Sequence, residues 1–198
     1  KSKQYKRILI VSSDRGSIGR NFNEPESAAL LGDAAAAIIL EPDSSSELIS
    51  YKMETWSEGA SFTQVRGGGT YRHPDNPKTI FGDHYFTMSG PKVYKMARKK
   101  VYHMIQIILK ENNLTTDDID FIIPHQASET AIKAYSKFGG FPESKIMNII
   151  GQYGNCVSAS IPLALSIAIE EKKIHRGNIV MMIGTGAGLS VACTLIKF

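Results

Sequence analysis

The sequence predicts an α/β protein whose mixed, mostly parallel sheet is covered by helices. Three observations carry that expectation. Short apolar strand-like runs and three helical patterns follow one another in the order βαβαβαββ, the order of strands joined by crossover helices. The clearest helical pattern has its apolar residues on a single stripe, as a helix lying on a sheet requires. The last two strands are separated only by the turn Gly184-Thr185-Gly186-Ala187-Gly188, which suits an antiparallel pair.

The elements follow in order. Residues 5–11 form a short β-rich run, and a polar loop with Gly16, Gly19, Asn21, Asn23 and Pro25 succeeds it. Gly32-Asp33 precedes the small-residue run 34–40, which ends in Ile38-Ile39-Leu40 and is stopped by Pro42-Asp43. It reads as a strand, with a helix as the alternative that alanines permit. Residues 48–56 alternate weakly, as a further strand. Residues 57–87, with Gly67-Gly68-Gly69, Pro74 and Pro77, read as a loop; one so long in a compact domain is as a rule functional or mobile.

Residues 91–112 give the strongest helix, with Pro91 in the first turn and Tyr94, Ala97, Val101, Met104, Ile105 and Ile108 on one stripe. A strand over 119–123 is expected to stop at Pro124. A helix over 128–138 closes at Gly139-Gly140, and a strand over 146–150 ends at Gly151. A third helix spans 158–171, and strands over 179–183 and 189–196 flank the glycine turn.

Composition narrows the function classes. The chain has 198 residues, 42% hydrophobic and 21% charged, which fits one soluble domain with a real core. No apolar run nears the ~20 residues of a membrane span. The basic opening, Lys1-Ser2-Lys3-Gln4-Tyr5-Lys6-Arg7, leads into only four apolar residues, too few for a signal peptide. The chain opens on Lys1 and starts almost at once with a strand, so trimmed ends or a piece of a longer protein are both expected readings. A net charge of +4 is mild, and no nucleic-acid partner is expected. Cys156 and Cys193 lie far apart, as reduced thiols of a cytoplasmic protein would. The five histidines stand singly, so no structural metal is expected.

Ligands of open α/β sheets gather at the carboxyl ends of the strands. Three features fall at such ends: Pro124-His125-Gln126, Gly154-Asn155 and the 184–188 turn. Each has an ordinary structural reading, as a hydrogen-bonding His, a helix-capping Asn and a plain turn. Asp33 and Cys156 likewise read as a turn hydrogen-bonder and a small packed residue. Together, however, His125 and Asn155 supply two donors for one carbonyl oxygen, and such donors stabilise an enolate. The turn at Gly186, Ala187 and Gly188 lets backbone N–H groups approach a second oxyanion. Two adjacent oxyanion sites suit carbon–carbon bond formation between thioesters.

The segments Phe121-Ile122-Ile123-Pro124-His125-Gln126-Ala127-Ser128, Gly154-Asn155-Cys156-Val157-Ser158-Ala159-Ser160-Ile161-Pro162 and Gly184-Thr185-Gly186-Ala187-Gly188 resemble three motifs of the β-ketoacyl-acyl-carrier-protein synthase III family. Gly32-Asp33-Ala34-Ala35-Ala36 and Met88-Ser89-Gly90-Pro91-Lys92-Val93-Tyr94 resemble two more, so the likeness runs nearly end to end. It implies a thiolase-like fold, one half of an αβαβα sandwich. Residues 1–45 would be the last strands of the amino-terminal half and 46–198 the carboxy-terminal half.

The resemblance also implies an activity without a cofactor. A cysteine takes an acyl group from acyl-CoA, malonyl-acyl-carrier-protein is decarboxylated, and its carbanion attacks the acyl-cysteine. His125 and Asn155 would hold the enolate, and the amide near Ala187 the acyl oxyanion. The nucleophile of the family lies in the amino half, so this chain alone is expected to be inactive, with Cys156 the less favoured nucleophile. Acyl carrier protein is the expected partner, docking at Lys92, Lys95, Lys99 and Lys133, and a homodimer is the expected full-length assembly. Four positions depart from the family pattern: Pro91, Ser128, Thr130, where a basic carrier contact is usual, and Thr185, where Phe is common. They leave open a specialised polyketide-type acyltransferase of the same family. A non-catalytic subunit that binds a carrier-borne acyl chain, or pairs with a catalytic partner, is the other reading.

Overall fold

A computed structural model describes residues 4–198. Of the basic opening, Lys1, Ser2 and Lys3 lie outside the described residues. The chain runs through β1 (Ile8–Arg15), a short helix α1 (Pro25–Ala28), β2 (Asp33–Leu40), β3 (Glu47–Thr55), β4 (Thr63–Val65) and β5 (Phe86–Met88). It continues through α2 (Gly90–Glu111), β6 (Phe121–Pro124), α3 (Glu129–Gly139), α4 (Ile150–Tyr153), α5 (Ser160–Glu170), β7 (Ile179–Gly186) and β8 (Ser190–Lys197).

The central sheet has the order β3-β8-β7-β6. Alternation along its strands divides the core in two. Ile122, Met181, Ile183 and Leu195 face α2 and α3, meeting Met104, Ile105, Ile108 and Tyr135. Phe121, Ile123 and Val180 face α5, meeting Ala164, Leu165 and Ala168. The stripe read on α2 therefore has two uses: its carboxy-terminal half packs on the sheet, whereas Tyr94, Ala97 and Val101 line a cavity.

The sheet is mixed, but the expectation that it is mostly parallel needs correction. Among the described ladders of this sheet only β6–β7 is parallel; β3–β8 and β7–β8 are antiparallel. Part of the reason is that β3 joins the edge of β8 antiparallel, and the rest lies at residues 146–150, read above as a strand. Ile146 makes one parallel bridge to Ile122, and Met147 N–H donates to the Ile122 carbonyl at 2.9 Å. Then the buried Gln126 side chain takes the Ile149 N–H at 2.9 Å, and α4 begins at Ile150. A side chain thus ends the ladder that a further strand would have continued.

Three smaller differences have local causes. The first strand starts at Ile8 and runs to Arg15, because β2 pairs with it down to Asp33. Gly184, Thr185 and Gly186 remain paired with β8, so the turn contracts to Ala187, Gly188 and Leu189. Within 57–87, Thr63–Val65 pairs antiparallel with Phe86–Met88. The rest of that segment is ordered by Asp83, only 3% exposed, whose carboxylate lies 3.5 Å from Arg66 and 3.7 Å from Arg72. The β1–β2 ribbon leaves Leu9, Val11, Ile39 and Leu40 exposed. No helix among the described residues is long and apolar enough to cross a membrane.

Candidate active site

His125, Asn155, Gly186 and Ala187 all line one cavity of about 1010 Å³ at the carboxyl ends of β6 and β7. His125 directly follows β6, and its N–H donates to the Ile183 carbonyl of β7 at 2.8 Å. Its Nδ1 lies 2.6 Å from the hydroxyl of Ser160, the first residue of α5. Burial pushes the imidazole pKa down to about 4, so the ring is neutral at pH 7. A neutral ring that accepts the Ser160 hydroxyl proton at Nδ1 carries its own hydrogen on Nε2 and donates from there.

Asn155 is oriented by its neighbours. Its Oδ1 accepts the Val157 N–H at 3.0 Å, which makes Nδ2 the donor end; one Nδ2 hydrogen goes to the Ala127 carbonyl at 3.5 Å and the second remains for a ligand. Val157 adopts a φ of +48°, a left-handed conformation that strains a β-branched residue.

The backbone of Asn155 is tied to the start of β2. Asn155 N–H donates to Leu30 at 2.6 Å, and Gly32 N–H donates to the Asn155 carbonyl at 2.9 Å. Only glycine fits at position 32, where an added Cβ would stand 1.8 Å from the Tyr153 carbonyl oxygen. Asp33 accepts from the Ser17 hydroxyl at 2.6 Å and the Ser17 N–H at 2.7 Å, and these bonds hold its carboxyl below the usual range. It serves the turn.

The turn after β7 is braced from β3. Trp56 N–H donates to the Leu189 carbonyl at 2.7 Å, and the Thr55 and Ser190 hydroxyls meet at 2.7 Å. The Ala187 N–H has no acceptor among the described residues and is available to a ligand. Gly188, with a φ of +144°, lies just beyond the lining.

The other candidates separate. Lys92, Lys95 and Lys99 lie together on α2 beside Phe62 and Met96, away from His125. Lys133 sits on α3 in an ion pair with Glu129 at 3.1 Å. Cys156 is fully buried and outside the cavity, its Sγ 3.2 Å from the Tyr153 carbonyl. Burial, with Asp33 and Asp14 nearby, raises its thiol pKa. Cys193 is buried in the core and pushed up to about 12. Neither thiol is poised as a nucleophile. No group of three or more metal-ligating side chains occurs among the described residues.

Sequence reasoning missed Ser160 and the wall formed by β4 and β5, where Val65, Phe86 and Met88 line the cavity. A hydroxyl at the first turn of a helix, near a strand-end His, was the available signal for Ser160. Nothing in the glycine-rich run announced the β4–β5 wall.

This mixed sheet between helices, with the His, Asn and glycine-turn elements gathered at one edge, defines a thiolase-like protein. Two family models match: that described as 3-oxoacyl-[acyl-carrier-protein] synthase III over residues 1–57, and its carboxy-terminal counterpart over residues 109–198. The chain belongs to the 3-oxoacyl-[acyl-carrier-protein] synthase III family. It is 34% identical over 196 residues to the β-ketoacyl-[acyl-carrier-protein] synthase III of Synechocystis, covering 98% of this chain and 59% of that protein. The Geobacillus kaustophilus protein of the same name is also 34% identical, over 98% of this chain and 57% of its own. The synthase III structure from Thermus thermophilus superposes with a TM-score of 0.86 at 26% identity, covering 98% of this chain and 59% of that one. The chain thus spans less than two thirds of the relatives it matches.

Proposed function

We propose that this chain forms the carboxy-terminal part of a β-ketoacyl-acyl-carrier-protein synthase III, an acyltransferase that condenses an acyl thioester with malonyl-acyl-carrier-protein and releases CO2. Residues 1–45 belong to the amino-terminal half of that fold and 46–198 to the carboxy-terminal half. The observation that carries the reading is the convergence of His125 Nε2, Asn155 Nδ2 and the free Ala187 N–H on one cavity. His125 and Asn155 donate to the malonyl thioester oxygen as CO2 leaves and negative charge develops there. The resulting enolate carbon attacks the acyl carbonyl, whose oxygen is held by the Ala187 amide, and the cysteine thiolate departs. The thiol that carries the acyl group comes from residues outside this chain, since Cys156 and Cys193 are buried and neither lines the cavity. No cofactor takes part.

Acyl-CoA is the acyl donor and acyl carrier protein the partner, docking on the lysines of α2. The exposed ribbon residues Leu9, Val11, Ile39 and Leu40 pack against the rest of the full-length fold, which assembles as a homodimer. Two unpaired cysteines suit a reducing compartment, and we place the protein in the cytoplasm.

A second reading has one observation in its favour. The priming β-ketosynthase of the R1128 polyketide pathway superposes with a TM-score of 0.85 at 25% identity, covering 96% of this chain and 57% of that one. Thr185, where the family commonly carries the larger Phe, lines the same cavity as His125. The test uses the full-length protein. His125→Ala is expected to lower malonyl-thioester decarboxylation about 100-fold or more, while acyl transfer onto the cysteine persists. Undiminished decarboxylation would remove His125 from the reaction.

A further inference from the structure

We propose that Arg98 anchors the phosphate of the phosphopantetheine arm that brings thioesters into the cavity, an inference that rests on the function proposed above. Arg98 lies on α2, one turn past Tyr94, and lines the same cavity as His125. Its guanidinium sits 4.5 Å from the centre of the Phe138 ring and 5.9 Å from that of Tyr94. These faces hold the planar group in place, so less freedom is lost when it binds a ligand.

A second cation shares the Phe138 ring: the Lys137 ammonium lies 5.4 Å from its centre. Among the described residues neither cation has a carboxylate within ion-pair distance, and the Arg98 guanidinium makes no hydrogen bond. Glu26, the one carboxylate among the cavity-lining residues, is not paired with Arg98. Two cations near one ring without a counter-charge make this part of the surface positive, which favours an anion there.

The shape of the site says which anion. Arg98 belongs to the cavity lining and Lys137 lies outside it, so the pair straddles the rim. From Arg98 the wall continues through Val101 and Ile105. A ligand with a phosphate at one end and a slender, largely uncharged arm matches that order, and a guanidinium fork matches phosphate oxygens. Thr130, on α3, also lines the cavity and carries no charge, and Arg98 supplies the positive charge from α2.

The experiment compares Arg98→Gln and Arg98→Lys with the unsubstituted full-length protein, using malonyl-acyl-carrier-protein, malonyl-CoA and phosphate-free malonyl-pantetheine. For Arg98→Gln we expect KM to rise about tenfold on both phosphate-bearing substrates, with kcat and the malonyl-pantetheine KM unchanged. Arg98→Lys should recover part of the loss. Equal changes on all three substrates, or none, overturn the assignment. A rise with malonyl-CoA alone would place Arg98 against the nucleotide phosphates, and a rise with the carrier protein alone against its surface; each also overturns it. If the unsubstituted protein decarboxylates none of the three, the proposed function fails and the anchor with it.

Discussion

Ser160 Oγ and His125 Nδ1 lie 2.6 Å apart, and Ser160 is only 1% exposed. The pair joins the end of β6 to the start of α5, across the sheet edge where the cavity opens. A hydroxyl that donates to Nδ1 fixes the tautomer with hydrogen on Nε2, the form able to donate to an enolate oxygen. With Ser160 as the donor, we expect it to act as a positioning residue for the ring.

Ser160→Ala frees the ring to exchange tautomers and to turn. We expect decarboxylation to fall about tenfold with little change in KM, and folding stability to fall by about 1 kcal/mol. The decisive readout is the nitrogen NMR spectrum of His125. A single Nε2–H tautomer in the parent and a mixture in the variant supports positioning, and identical spectra would refute it.

The low pKa of His125 sets a pH dependence. The unfolded chain binds this proton near 6.5 and the folded protein only near 4, because burial disfavours the charged ring. Stability is therefore fully present above pH 6.5 and falls as pH drops from 6.5 to 4, by up to about 3 kcal/mol. Denaturant titrations across that range should show the fall, and His125→Gln should flatten it. Decarboxylation should show no step between pH 8 and 6 from this residue, since the ring stays neutral throughout.

Much of the frame was legible because strong local signals coincide with tertiary need. The stripe on the long helix and the glycine pair that closes α3, with Gly140 left-handed, both act within a few residues. His125 and Asn155 were legible because they stand at element ends marked by a breaker, His125 after Pro124 and Asn155 after Gly154. What stayed hidden depends on contacts distant in sequence. The ladder that stops after Ile146 is decided by Gln126, and the orientation of Asn155 by a strained Val157 whose type gives no warning. The β4–β5 pair consists of three-residue strands separated by twenty residues, too short for periodicity to register.

Gln126 offers the sharpest test of how the two donors are held in register. The side chain is wholly buried and meets three backbone groups: Nε2 donates to Pro124 at 2.9 Å and to Met147 at 3.2 Å, and Oε1 accepts from Ile149 at 2.9 Å. It therefore clamps the segment leading to Asn155 against the strand end that carries His125. Gln126→Leu keeps roughly the same volume and removes every one of these bonds, leaving buried backbone groups unpaired. At about 1–3 kcal/mol for each such group, partly relieved by relaxation, a loss of about 3 kcal/mol is expected. Gln126→Glu separates the clamp from its polarity: it keeps the acceptor for Ile149 but sets a carboxylate against two carbonyls. Both variants should lower the unfolding midpoint, with Gln126→Glu recovering stability at low pH, where the protonated acid can donate again. Stability of the Glu variant that moves with pH only as the parent does would show that the two carbonyls do not need the donors Gln126 supplies.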